Sequence, residues 1–155
     1  MKKIIFLSFI GLLFSYGFTL VQQTPDTVDK NSLTASSRKK MEPYKYDSQK
    51  FTRIIFGKKA QHMEVEIPVF AGENYRVVFN TTALPEQPPV VITIYTKSIE
   101  SGGKREPIFT NKSVPAGTKE MVFDAPRLRK MFIDYEIPAS DVQASGYILC
   151  LIGYK

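Results

Sequence analysis

The stretch Gly146–Tyr154, GYILCLIGY, is apolar on both faces of an extended chain. Tyr147, Leu149 and Leu151 point one way, and Ile148, Cys150 and Ile152 point the other. Side chains of a strand alternate between faces, so a strand apolar on both must be covered on both. This is the pattern of a central strand in a sandwich or buried sheet. Any fold for the chain has to supply two layers of cover for its closing segment.

The segments that would supply it are strands. Met63, Val65, Ile67 and Val69 share one face against Glu64 and Glu66, and Tyr75, Val77 and Phe79 alternate against Arg76 and Asn80. Gly72 gives the φ freedom of a turn and Glu73-Asn74 keep it solvated, so Met63–Asn80 reads as a hairpin. Pro68 cannot donate a ladder hydrogen bond, which places this strand at a sheet edge or a bulge. Further strands are predicted over Phe51–Phe56, Val90–Lys97, Pro107–Thr110, Lys119–Asp124 and Met131–Ile137, separated by Gly- and Pro-bearing turns. A short helix around Ser36–Tyr46 is the one helical alternative. About eight closely spaced strands predict an all-β domain over 44–155, a single antiparallel β-sandwich of jelly-roll-like form.

Upstream of the domain, Lys2 and Lys3 precede an apolar run from Ile4 to Leu20. Residues 1–22 therefore read as a signal peptide, with small residues at Ser15 and Gly17 as a cleavage site. The alternative is an uncleaved anchor, since a run of this length is at the lower limit for crossing a bilayer. No cysteine follows the run, so lipid attachment by the bacterial lipoprotein route is excluded. Residues 23–43 are polar and poor in large apolar side chains, the composition of a flexible linker. The single cysteine, Cys150, has no partner for an internal disulfide and sits among apolar neighbours, as a buried thiol does. An exported domain without disulfides points to a bacterial envelope, periplasmic or secreted.

The net charge of +6 is unevenly placed. Residues 38–59 carry eight basic and two acidic side chains, whereas residues 60–155 carry ten basic and eleven acidic. This basic leader is interleaved with Tyr44, Tyr46 and Phe51, a pattern that can stack single-stranded nucleic acid. Export argues against that partner and favours an envelope protein, an acidic polysaccharide or, through 38–59, peripheral contact with lipid headgroups. The candidate binding surface is Tyr44, Lys45, Tyr46, Tyr95, Arg127, Arg129 and Lys130.

Residues that could carry chemistry are few. Asp124, Asp134, Glu136 and Asp141 could gather oxygen ligands, but no loop has Ca²⁺-binding spacing. Solvated carboxylates paired with Arg127, Arg129 and Lys130 are the expectation. His62, the only histidine, has Glu64 on the same strand face and no nucleophile at motif spacing, so a structural or solvent-exposed role is expected. Asn80-Thr81-Thr82 and Asn111-Lys112-Ser113 match glycosylation sequons, triplets that arise often by chance and carry no information if the cell is bacterial. No metal and no cofactor is called for.

Four short segments together carry a family resemblance: Phe70-Ala71-Gly72-Glu73-Asn74-Tyr75, Ile92-Thr93-Ile94-Tyr95, Val122-Phe123-Asp124 and Ser145-Gly146-Tyr147-Ile148-Leu149. Over residues 60–153 the chain resembles the small β-sandwiches called pre-peptidase C-terminal domains, in which one such turn opens a strand and another opens the final strand. It is also similar to small exported Bacteroidota proteins of unassigned function. The resemblance implies an envelope or secreted accessory module and supplies no catalytic residue.

The leading expectation is thus an exported, non-catalytic β-sandwich module that binds an envelope protein or polymer. A carbohydrate-binding module would use Tyr44, Tyr46, Tyr95 and Tyr154 as a platform. A small hydrolase would use Asp134 and Glu136 as paired carboxylates.

Overall fold

The computed structural model describes residues 28–155; the signal-peptide expectation for 1–22 lies outside them. Eight strands form two four-stranded antiparallel sheets: β1 (Lys45–Phe56), β2 (Gln61–Ile67), β3 (Tyr75–Asn80), β4 (Val91–Tyr95), β5 (Pro107–Thr110), β6 (Glu120–Ala125), β7 (Met131–Ile137) and β8 (Ala144–Tyr154). The first sheet runs β1-β8-β3-β6 and the second β2-β7-β4-β5. This is the strand order of a jelly roll: β1–β4 pair with β8–β5 as one long hairpin, rolled so that alternate pairs fall in opposite sheets. The expected fold class and the two-faced burial of the closing strand both hold.

The hairpin expected over Met63–Asn80 does not form. β2 pairs with β7 in one sheet and β3 with β6 and β8 in the other, so residues 68–74 cross over the end of the sandwich. Alternation establishes a strand and its inward face but not its partner, and both strands face the same core. Val65 and Ile67 from β2 meet Tyr75, Val77 and Phe79 from β3 inside it. Pro68 stands just past the end of β2, an edge strand, where no ladder bond is required of it.

The polar stretch expected to be a linker holds the second correction. An α-helix, α1 (Lys30–Arg38), is followed by a single 3-10 turn, Lys39–Met41. The helix begins well before the Ser36–Tyr46 expectation because Asp29 caps it, its Oδ1 accepting from the amides of Asn31 and Ser32. Leu33, Ser37 and Met41 are spaced four apart, so they form one narrow stripe along the helix and the turn that follows it. Leu33 and Met41 pack on Val78, Leu149 and Leu151. These two side chains cover the outer face of the closing strand, while Ile148, Cys150 and Ile152 enter the main core between the sheets. Ser37 is fully buried and accepts from Asn80 Nδ2, tying the helix to β3.

Candidate functional site

Three outward-facing residues meet in register across the second sheet: Glu64 on β2, Asp134 on β7 and Thr93 on β4. An outward face of this kind would normally be solvated, yet the Asp134 side chain is only 5% exposed. The reason is the β4–β5 tip, residues 96–106, which folds back over the face and lays Arg105 across it. Arg105 Nη1 donates to Asp134 Oδ2 at 2.8 Å, and Nη2 donates to Asp134 Oδ1 at 3.0 Å and to Glu64 Oε2 at 2.8 Å. Its Nε donates to the Lys97 carbonyl at 2.9 Å, and its guanidinium stacks 3.9 Å from the centroid of Tyr95. The fork of donors matches the carboxylate of Asp134, an arrangement lysine cannot reproduce. The Asp134 carboxylate bonded to it, and the nearby Glu64, hold Arg105 protonated even more firmly than usual.

His62 completes the cluster, with Nε2 3.1 Å from Asp134 Oδ2. The amide of Ile99 also donates to Glu64 Oε2, so both carboxylates are occupied by the chain's own donors. Asp134 therefore pairs with Arg105 and His62 and not with Arg127, Arg129 or Lys130. Asp124 pairs elsewhere, with Arg76 on the neighbouring strand at 2.6 Å, which holds its carboxyl below the usual range. Among the described residues Glu136 reaches only Lys112, at 3.9 Å, and Asp141 is exposed on the far loop. The four acids do not gather, and among the described residues no group of three or more His, Cys, Asp or Glu side chains is placed to hold a metal ion. Asp134 is clamped and shielded, so it is poorly placed to act as nucleophile or base beside Glu136. A recess of about 410 Å³ next to His62, lined by Pro89, Val91, Glu136, Ile137 and Pro138, has largely apolar walls.

The residues singled out as a binding surface come from three separate segments, and the fold brings them to one end. Lys45, Tyr154, Tyr75 and Ala125 lie in one row across the first sheet, and Tyr95 pairs with Phe132 at the matching edge of the second. The crossover 126–130, with Arg127, Arg129 and Lys130 exposed, joins the two rows. The tyrosines do not form a free platform. Tyr44 lies between Arg76 and Lys155, Tyr46 under Arg38 and Tyr95 under Arg105, with cation-to-ring distances of 3.9–4.7 Å. Lys45 is exposed on the edge strand β1.

Both sequon asparagines serve the fold. Asn80 Nδ2 donates to Ser37 Oγ and Glu120 Oε1, and Asn111 bridges the Val90 carbonyl and the Ile92 amide. Sequence reasoning missed Arg105, which sits beside Gly102-Gly103 in what reads as a solvated loop. Two acids on outward faces called for a cation, but nothing in the sequence says which of ten lies opposite. It also passed over Phe70, whose ring is 72% exposed at the basic end.

No family model matches the chain, and no curated protein matches it. Among solved structures the chain is similar to Aeromonas hydrophila PliG, a periplasmic lysozyme inhibitor of g-type lysozyme, at a TM-score of 0.40 and 12% identity, covering 73% of this chain and 89% of that one.

Proposed function

We propose that this protein is an exported, non-catalytic β-sandwich module that engages a component of the cell envelope through the basic end of the jelly roll. One contrast supports the reading. The buried carboxylate of Asp134 is fully engaged by Arg105 and His62, whereas Arg127, Arg129 and Lys130 are exposed and make no ion pair with any described residue. Groups held in place by the fold are scaffold, and groups the fold leaves free are available to a partner. The hydrolase alternative loses its first carboxylate to the clamp, and the carbohydrate platform loses three of its four rings to the chain's own cations, the fourth, Tyr154, packing against the core.

The test is retention on isolated envelope preparations, measured by sedimentation. Wild-type protein is expected to sediment with the envelope and the triple variant R127Q/R129Q/K130Q to stay in solution. The double variant K58Q/K59Q, altered in the β1–β2 crossover at the opposite end, is expected to behave as wild type. Equal retention of all three proteins refutes the reading, as does turnover of any envelope glycan or peptide that disappears in Asp134→Asn.

A further inference from the structure

We infer that the two crossovers at the basic end form a contact site for the phosphate headgroups of an anionic lipid surface, with Phe70 entering the interface. The inference rests on the proposed reading of that end as the binding surface, and it names the class of partner. Residues 68–74 and 126–130 must run side by side, because the strands they join are paired at both ends. Ile67 opposes Met131 in one sheet, and Tyr75 opposes Ala125 in the other.

The two loops are built to present outward. Leu128 is buried against the core and anchors the second crossover, which turns Arg127 and Arg129 out on either side of it. In the first crossover, the Phe70 amide donates to the hydroxyl of Tyr75 at 2.6 Å, and Tyr75 is fully buried. Gly72, at φ +103°, turns the chain where a side chain would be strained, and Asn74 exchanges both backbone hydrogen bonds with Lys155. Phe70 is thereby held outward at 72% exposure, the highest of any large apolar side chain among the described residues. The carboxylates nearby do not neutralise the patch. Asp124 is held by Arg76 and Glu106 by Lys104, leaving Glu73 and Glu66 against the three cations.

Shape and charge together select a lipid surface over an acidic protein. A protein partner of ordinary affinity covers about 800 Å² per side and seats an aromatic anchor in a matching pocket. A single exposed ring on one short loop, beside a second loop whose three cations make no ion pair among the described residues, needs neither on a headgroup layer. There the phosphates adjust to the spacing of the cations, and the ring lies at the boundary of the acyl region.

The chain contains no tryptophan, so Phe70→Trp places a unique fluorophore at the site. Val142→Trp places one at the opposite end, where Val142 is 63% exposed. In full-length protein mixed with phosphatidylcholine vesicles containing phosphatidylglycerol, the tryptophan at 70 is expected to shift to the blue and to be quenched by brominated lipid. The tryptophan at 142 is expected to do neither, and pure phosphatidylcholine is expected to leave both unchanged. Adding R127Q/R129Q/K130Q to Phe70→Trp should raise the lipid concentration at half-shift roughly a hundredfold, from about fivefold per charge removed. Equal responses at 70 and 142, or a response at 70 that survives the triple substitution, overturns the inference. If position 70 stays silent on anionic vesicles while the triple variant still loses envelope retention, the lipid inference falls and the envelope-module reading stands. If retention is also unchanged, both fall.

Discussion

The Arg105 clamp makes the sharpest prediction. Replacing Arg105 by methionine keeps much of the side chain's length but removes four donated hydrogen bonds and, among the described residues, the only full positive charge reaching Asp134. Asp134, at 5% exposure, would be left with His62 alone, and Glu64 with the Ile99 amide. Stranding a buried charge costs on the order of 3–5 kcal/mol. Glu64 and His62, at 21% and 40% exposure, open one side of the cluster to water, so the lower end, ~3 kcal/mol, is the expectation here. In urea unfolding followed by far-ultraviolet circular dichroism, that loss should lower the midpoint by roughly 1.5 M. The decisive arm is the double variant R105M/D134N. Neutralising Asp134 removes the charge that the arginine loss exposes, so the double variant should be less destabilised than the two single losses combined, by ~1 kcal/mol or more. A cost for Arg105→Met below ~1 kcal/mol, or single and double variants additive within ~0.5 kcal/mol, would show that the cluster is an ordinary surface network and refute the argument that the clamp shields Asp134.

Three further outcomes are expected. A Cβ at Gly146 would collide with the Ala83 carbonyl oxygen and lie 2.8–2.9 Å from Pro85 Cδ and Leu84 Cα, so Gly146→Ala should cost about 1–3 kcal/mol or more in chemical denaturation. Met41→Ala removes the helix-side cover from Val78, Leu149 and Leu151 and should cost ~2–3 kcal/mol, with increased hydrogen exchange in α1. Burial pushes the Cys150 thiol up to about 12, whereas a thiol in the unfolded chain titrates near ~8.5. A raised folded value contributes stability that is complete below ~pH 8.5 and lost between there and about 12, at up to ~1.4 kcal/mol per pH unit. Wild type should therefore lose stability over that range more steeply than Cys150→Ala, and its thiol should react with a disulfide reagent only on unfolding. Parallel pH profiles for the two proteins would contradict this.

What the sequence disclosed follows from what is periodic. Pro107–Thr110 and Met131–Ile137 are strands over the expected residues, and the two-faced apolarity of Gly146–Tyr154 announced a central strand. Partnership was not legible, because Val65 and Val77 present the same alternation whether their strands share a sheet or face each other across the core. The helix was missed for a related reason. Its apolar stripe is only Leu33 and Met41, diluted by serines and lysines, and it is recognisable once the outer face of β8 is known to need cover. The requirement for two layers was legible; the identity of the second was not. The seven surface residues were chosen for charge and ring chemistry alone, and only the rolled topology shows that they share one end. The tyrosines failed as a free platform because no sequence pattern reveals that Arg38, Arg76 and Arg105 fold over them.

Placing the interface at the crossovers also follows from the architecture. A sandwich offers a partner two broad faces, two lateral edges and two ends. Here α1 and its 3-10 turn occupy the face over Val78, Leu149 and Leu151, and the β4–β5 tip occupies the other through Arg105 and Ile99. At one end, Leu84–Val90 with its three prolines lies against Lys119 and Met121, the backbone of Thr81 bonding the Lys119 carbonyl, so the chain's own loops pack on one another there. The other end is different in kind. Its two crossovers are anchored by Leu128 and Tyr75 from below, yet the side chains of Phe70, Arg127, Arg129 and Lys130 make no hydrogen bond or ion pair among the described residues. An anchored backbone carrying unengaged side chains is a low-entropy platform for binding, because little further ordering is needed on contact. Substitutions there should change association and leave the unfolding free energy within about 0.5 kcal/mol of wild type, the reverse of the pattern at Arg105.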